Sequence, residues 1–546
     1  MNKEIMSSKK VLVCLIIISI VSLGFKLYLT DFSIPLHSDS LAYGLNAIAH
    51  TNGDFSQPPY RSIGWSLFLS PFFSFVDSDN FLDYSNLAKS VSIAVSTSTI
   101  FLVYGVGRKF FDKRYAIITA SLFAFLPHLN HNSTLGLSEP LFILVVLGSF
   151  YFLLNTKSKY IVISLILAGL AYWIRLNGIV IFFIISITYL LTFKKSQTFL
   201  RNYGIALFFF VLVLSPMLIQ KNEQYGDPFH SSYQGILFSE NYEELISNIE
   251  TKTQTSAAEY IENAGFLNFI NNFIFNGIVN SLGILSQLSL PYLFILLPFG
   301  IFFSFRAFDQ KSQYIKANWI FILSSILSMC VIISVVPEKR FLFFLLPFLI
   351  LFSVIPLQRV IEYGLNTFSF SRRQKDIFLV GVLLVVIILS GLFTLRYDKM
   401  DPILENEKIN FANFVLENLH GNTLRDFGGA TDYITPQILL NYNNFKDFKI
   451  DYWNDKNERK KFDFQEIGVS AKNLDELIIK GEKQQLKYII SNENETFYYP
   501  FVDSIYHNET NYPYLVKIFD SNDYGYEKFK IKIFEIDYEK FYELKR

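Results

Sequence analysis

The sequence predicts a polytopic α-helical membrane protein of about eleven transmembrane helices followed by a soluble α/β domain. Three observations carry this expectation. Hydrophobic residues make up 51% of the 546 and charged residues only 18%, with 58 Phe and 32 Tyr, far from the balance of a soluble chain. Long apolar stretches recur through residues 1–395, and from Arg396 the composition turns abruptly polar. The expected division is therefore a transmembrane unit over 1–395 and a soluble unit over 396–546.

The 48 basic and 48 acidic residues cancel, so net charge gives no reason to expect a nucleic-acid partner. Cys14 and Cys330 both lie inside apolar runs, which argues against a disulfide framework or a cysteine-rich metal site. The first apolar stretch, 11–29, follows Lys9 and Lys10. It is longer than a signal-peptide core and no small-residue cleavage site follows it, so it reads as the first membrane helix. Further stretches fall at 86–107, 115–129, 139–154, 160–174, 177–193, 203–219, 285–305, 317–336, 341–357 and 376–395. Several are shorter than the ~20 residues that a perpendicular helix needs. Those at 115–129 and 160–174 must extend into polar flanks or end in a loop buried by protein.

Basic residues set the expected orientation. Alternate connecting segments carry Lys3, Lys9 and Lys10; Arg108, Lys109, Lys113 and Arg114; Lys157 and Lys159; Lys194, Lys195 and Arg201; Arg306, Lys311 and Lys316; and Arg359, Arg372, Arg373 and Lys375. The opposite short loops hold few, chiefly Arg61, Arg175, Lys221, Lys339 and Arg340. The positive-inside rule then puts the N-terminus in the cytoplasm and the C-terminal domain outside it, across a plasma (inner) membrane.

Two outside segments, 30–85 and 220–287, are too long to be mere connectors. In the second, Phe and Ile recur at helical spacing beside Asn from Ala264 to Asn276, as in a helix lying in the membrane interface or packed on the bundle. In the soluble unit, 405–419 and 474–480 read as helices and 487–491 and 528–536 as strands. The last mostly alternates, so one face is expected toward a core and one toward water.

Charged residues near a membrane are candidates for function because their placement costs free energy. On the expected outer face they are sparse: His37-Ser-Asp39, Gln57-Pro-Pro-Tyr-Arg61, His128-Leu-Asn-His131 leading to Glu139-Pro140, Arg175-Leu-Asn-Gly178, Lys221-Asn-Glu-Gln-Tyr-Gly-Asp227-Pro, and Pro337-Glu338-Lys-Arg340-Phe. Their order and side resemble the GT-C class of membrane glycosyltransferases that use polyprenyl-phosphate sugars, the group containing protein O-mannosyltransferases and aminoarabinose transferases. The matching features are Asp39 after helix 1, the Pro-Pro segment of 58–71, Glu139-Pro140 opening helix 4, Arg175 in a short turn, Ser215-Pro216 before the Lys221 segment, and Glu338-Lys-Arg-Phe before a Pro-bearing helix. The resemblance covers about residues 10–360. It departs from the class at Asp39, which is flanked by serines where many members carry a paired acid. It departs again at Arg175-Leu-Asn-Gly178, where an Arg-Pro-Glu-Gly type sequence is common.

The resemblance implies a GT-C-like fold, a polyprenyl-phosphate-linked sugar as donor, membrane lipids around it, and a protein, lipid or glycan as acceptor. Such a donor carries a good leaving group, so its departure calls for cations on the phosphate, and Arg61, Arg175 and Arg340 are the guanidinium groups present. The acceptor hydroxyl must lose a proton, which calls for a carboxylate. Asp39 is the first choice of base, with Glu139 orienting the acceptor, sharing that role or holding a metal. Each has a structural reading as well: Asp39 as a helix cap, Glu139 and Pro140 as the first turn of a helix, Arg61, Lys339 and Arg340 as interfacial anchors. No cofactor is required by this chemistry. A divalent metal has His37, His128 and His131 as its weak candidates, at spacings that match no defined metal motif.

A lipid or oligosaccharide flippase or transporter is the competing class. Transporters tend to show inverted repeats and charges near the bilayer midplane, whereas the candidate charges here gather at one face. An oligosaccharyltransferase is a third reading, but its Trp-Trp-Asp-Tyr-Gly motif is not matched by Asp451-Tyr-Trp-Asn-Asp455.

Overall fold

The computed structural model describes residues 7–545 apart from 56–61, 156, 194–197, 231–236, 240–255, 306–311, 399–400, 425–430, 442–445, 447–463, 470 and 494–498. Arg61 and the 451–455 segment lie outside the described residues. The polypeptide forms a polytopic helical bundle and a C-terminal domain built on a mixed sheet.

The bundle opens with α1 (Ser8–Leu29), which crosses as a single apolar rod. Two helices that do not follow the membrane pattern come next, α2 (Ser38–Thr51) and α3 (Gly64–Phe73), and these occupy the first long loop. Then come α4 (Phe81–Phe110), α5 (Lys113–Ala124), the short α6 (Pro127–Ser133), α7 (Glu139–Leu153), α8 (Ile161–Ile174), α9 (Ile179–Phe193) and α10 (Phe199–Tyr225). After α11 (Ala257–Ala264), an apolar helix α12 runs over Phe266–Leu288 with a π-helical stretch at Ile270–Phe275. The bundle closes with α13 (Leu293–Ser304), α14 (Ser312–Val335), a 3-10 turn at Lys339–Leu345 leading into α15 (Leu346–Arg359), and α16 (Arg372–Phe393). Among the described residues, seven helices are long and apolar enough to cross a membrane and four apolar helices are shorter.

Two sequence expectations are corrected here. The stretch at 285–305 is not one helix: α12 ends at Leu288 and α13 begins at Leu293, with Pro291 between them removing a backbone donor. The stretch at 115–129 is likewise broken, at Phe125-Leu126 before Pro127. The interfacial or bundle-packed helix expected from Ala264 to Asn276 proves to be the start of the longer α12. Phe273 packs on Val335 at the C-terminal end of α14, and the Gln287 carbonyl lies 3.3 Å from His128 Nε2.

The soluble domain begins with α17 (Pro402–Asn418), whose first turn is capped by Asp401. Its sheet has the order β2 (Phe464–Ile467), β1 (Gly421–Leu424), β3 (Leu486–Asn492), β5 (Ile531–Ile536), β4 (Leu515–Asp520). The β1 pairs are parallel and the pairs made by β5 antiparallel. Helices α18 (Ile434–Asn441), α19 (Leu474–Lys483) and α20 (Tyr538–Lys545) complete it. The strand expected to face water on one side is covered on both. Ile531 and Ile533 join Phe411 and Val415 of α17, while Phe534 and Ile536 join Leu477 and Phe541 on the other face. The alternating lysine Lys532 is buried because its ammonium reaches the Tyr506 carbonyl at 2.9 Å and Glu509 at 3.1 Å, so its stem is covered while its charge is paired.

Candidate functional site

The first functional side chain sits where α2 begins. Ser40 at the third helical position accepts from the His37 N–H at 3.3 Å, which fixes the helix start and leaves Asp39 in its first turn. Asp39 lies beside the positive end of the helix dipole. One turn on, Tyr43 takes part in two contacts: its carbonyl accepts from Ser66 at 3.0 Å, and its hydroxyl accepts from Ser138 at 3.4 Å. These ties bring α2, α3 and the start of α7 together.

Glu139 opens α7 with Pro140 behind it, the arrangement expected from the sequence. Its side chain is only 2% exposed, and it is bonded by the Arg175 guanidinium, itself 11% exposed. Arg175 is at the C-terminus of α8, in the turn that leads through Leu176–Gly178 into α9. Gly178 is what lets this turn be so short, because a Cβ there would meet the Ala171 carbonyl oxygen at 2.2 Å. Gly64 serves the same closeness from the other side: a Cβ would lie 2.6 Å from the Trp173 carbonyl carbon. The first loop is thereby pressed onto the Arg175 turn.

Arg340 comes from the 3-10 turn before α15 and closes the cluster. Its guanidinium bonds both Asp39 and Glu338, and it lies 5.9 Å from the Phe341 ring centre. Arg175 lies 5.4 Å from the same ring. Three carboxylates and two guanidinium groups thus meet around Phe341, drawn from positions 39, 139, 175, 338 and 340. A desolvated cluster of this kind is costly unless every charge has a partner, and here each Arg has one or two. One oxygen is left over: Glu139 Oε2 is buried and has no hydrogen-bond partner among the described residues.

The structure brings four of the five principal sequence candidates together: Asp39, Glu139, Arg175 and Arg340. The fifth, Arg61, is outside the described residues. It does not unite the weak metal candidates. His37 lies against the Tyr433 ring of the soluble domain at 4.8 Å between centres, and His128 packs edge-on to Phe393 at 5.7 Å. Among the described residues no three His, Cys, Asp or Glu side chains gather as a metal site. Burial holds the His37 imidazole below its ordinary pKa, opposed by Asp432, the Pro35 carbonyl and Glu405. Sequence reasoning treated Glu338 and Phe341 only as parts of a motif. Their spacing around Arg340 was the available signal.

Fold and site together describe a polytopic helical membrane bundle whose charges collect where the first loop meets the α8–α9 turn and the start of α15. Known proteins agree. Residues 86–219 match the family model described as dolichyl-phosphate-mannose-protein mannosyltransferase. No curated protein matches the chain in sequence. Among solved structures, the apo oligosaccharyltransferase of Archaeoglobus fulgidus is similar at a TM-score of 0.58 and 13% identity, over 92% of this chain and 72% of that one. The archaeal oligosaccharyltransferase AglB from Archaeoglobus fulgidus, in complex with an inhibitory peptide and a dolichol-phosphate, is similar at 0.53 and 12%, over 92% and 72%. ArnT from Cupriavidus metallidurans bound to undecaprenyl phosphate is similar at 0.52 and 9%, over 97% of this chain and 98% of that one. At these identities the likeness is one of fold.

Proposed function

We propose that this protein is an inverting glycosyltransferase that moves one sugar from a polyprenyl-phosphate donor to an acceptor hydroxyl on a protein, lipid or glycan outside the cytoplasm. The observation that carries the reading is the pair of guanidinium groups, Arg175 and Arg340, set around Phe341 with the Asp39 carboxylate bonded to one of them. The donor phosphate is gripped by Arg340 and Arg175, and in taking Arg340 it releases Asp39 from its ion pair. Asp39 then accepts the acceptor's hydroxyl proton as that oxygen attacks the anomeric carbon. The bond from the anomeric carbon to the phosphate oxygen breaks, its electron pair leaves with polyprenyl phosphate, and the two arginines stabilise that charge. One displacement inverts the anomeric centre. Glu139 holds the Arg175 guanidinium in place, and no step requires a metal.

Support comes from the family match over 86–219 and from neighbours whose structures hold dolichol-phosphate or undecaprenyl phosphate. The expected topology places this site outside a plasma membrane. A reporter fused after Arg396 should read outside and one near Lys311 cytoplasmic, and a cytoplasmic reading at the C-terminus would require the site to be redrawn.

Purified protein in detergent should transfer sugar from a soluble short-chain polyprenyl-phosphate sugar, because chemistry at one membrane face needs no second compartment. No transfer across a panel of such donors and acceptors, together with lipid translocation in sealed vesicles, would overturn the reading in favour of a flippase.

A further inference from the structure

The charges around Phe341 account for the phosphate end of a polyprenyl-phosphate donor and leave its apolar tail without a seat. A groove of about 440 Å³ runs between α13 and α16, with α15 at its back. Ile295 and Leu296 of α13 form one wall, Phe378 and Leu389 of α16 the other, and Leu357 of α15 the floor. Tyr292 stands at the rim, its hydroxyl spent on the Leu122 carbonyl at 2.5 Å, so the lining is hydrocarbon throughout. Ile295, Phe378 and Leu389 are exposed, which opens the groove sideways to the bilayer.

The gap follows from how the two helices are fastened. α13 is drawn onto α15 at Gly300, where a Cβ would lie 2.2 Å from the Phe352 carbonyl oxygen. α16 is tied instead toward α5: Asp376 near its start lies 3.6 Å from Arg114, and Ser390 near its end donates to the carbonyl of Phe125, the residue after α5. Neither tie pulls α13 and α16 together. One turn in from Phe378, α16 carries Gly381, and a Cβ there would meet nothing within 4 Å. Glycine weakens the interior of a helix, and here no neighbour presses on it to require the missing side chain. What the missing side chain leaves is room in the groove.

We infer that this groove holds the far end of the donor's polyprenyl tail and makes the protein selective for long carriers, with Gly381 keeping it open. The inference rests on the donor proposed above, the one substrate that the reading obliges to carry an apolar chain. The turn that bears Arg340 packs against α12, and α12 ends at Leu288, four residues before Tyr292 at the groove's rim. A tail leaving a phosphate on Arg340 is led along α12 to that rim. Leu357 lies eleven residues, about 16 Å, beyond the first residue of α15, and Arg340 precedes that residue. Two isoprene units are too short for that span, so only a long tail fills the groove. In a bilayer the tail leaves other hydrocarbon to enter it, and its gain is close packing rather than escape from water.

Binding of undecaprenyl phosphate and of geranyl phosphate, which has two isoprene units, to the full-length protein in detergent tests this without requiring transfer. The parent should bind undecaprenyl phosphate about 10-fold more tightly. Gly381→Leu puts a side chain into the groove with a residue that suits a helix better than glycine. It should raise the Kd for undecaprenyl phosphate about 10-fold, to that of geranyl phosphate, while geranyl phosphate affinity and the thermal midpoint stay unchanged. Leu296→Trp, which fills the groove from the opposite wall, should do the same. Leu384→Trp adds bulk at an exposed position of α16 outside the groove and should change neither affinity. In transfer assays the filled variants should show a raised KM for the long donor, with kcat and acceptor KM unchanged. Equal affinity of the parent for both phosphates, a parental Kd in both filled variants, an equal loss for both phosphates, or a raised KM for a lipid-linked acceptor in place of the donor would overturn the inference. Transfer that proceeds while the filled variants bind undecaprenyl phosphate like the parent strikes the groove alone. The expected Kd pattern with no transfer from any donor strikes the glycosyltransferase reading and leaves the tail site standing.

Discussion

The bundle and the soluble domain treat charge in opposite ways. In the bundle, ionisable side chains are few and five of them converge: Asp39, Glu338 and Arg340 form one knot and Glu139 with Arg175 another, joined across Phe341. In the soluble domain charges are plentiful and mostly spent at the surface, as in Lys480 with Glu476 or Lys545 with Asp475, where about half of each lysine side chain is in water. An ion pair that water can replace holds little energy, whereas a charge taken out of water must be paired or used. Scarcity made the bundle's site readable, and abundance hides any comparable signal in the domain.

Four tests probe this contrast, in decreasing order of effect. Asp39→Asn should lower turnover by about 10² to 10⁴ while the protein inserts and folds normally, because the shape survives and the base does not. Activity within a few fold of the parent would remove Asp39 from the mechanism. Next, Arg175→Met strands a buried Glu139 carboxylate and should cost roughly 3–5 kcal/mol of stability, read as a lowered thermal midpoint. Adding Glu139→Gln should recover most of it. The milder Arg175→Lys, and likewise Arg340→Lys, keeps the charge but loses the two-pronged contact, so kcat/KM for the donor should fall more than that for the acceptor.

The third test moves into the soluble domain, to Glu407, a buried carboxylate held by three backbone N–H groups. Desolvation raises the Glu407 pKa, but the N–H groups of Glu527, Phe529 and Lys528, at 2.6, 2.7 and 2.9 Å, outweigh it and hold the carboxyl below its ordinary range. A depressed carboxylate contributes stability above its unfolded-state value and loses it as pH falls through the acid range. Glu407→Ala should therefore destabilise the domain by about 3 kcal/mol at neutral pH, and its penalty should shrink as the pH drops into that range. An unchanged penalty at low pH would contradict the assignment. Last, Asp475→Ala, which breaks an exposed pair, should change stability by only about 0–1 kcal/mol.

The residues themselves show why some of this was legible in the sequence and some was not. Asp39, Glu139, Arg175 and Arg340 stood out because each is a charge in an apolar neighbourhood, and their common side followed from the basic residues of the alternate loops. Their pairing was not legible: Asp39 and Arg340 are separated by nearly the whole bundle in sequence, and no local pattern says which acid meets which guanidinium. The break at Pro291 was hidden because the flanking runs are equally apolar on both sides. The burial of Lys532 was missed because alternation reports what lies on each face of a strand, and a long amphipathic side chain satisfies both environments. The contact of Tyr433 with His37 was not legible either, since His37 stood out only as a metal candidate and no local pattern says which distant ring it meets.

The central claim is a single displacement at an anomeric carbon with polyprenyl phosphate as the leaving group. The most direct measurement is the stoichiometry and stereochemistry of the reaction in detergent, with an anomerically defined short-chain polyprenyl-phosphate sugar. The account predicts one polyprenyl phosphate released for each acceptor glycosylated, and a product of inverted anomeric configuration. Retained configuration, or release of phosphate without an acceptor at a rate equal to that with one, would contradict it.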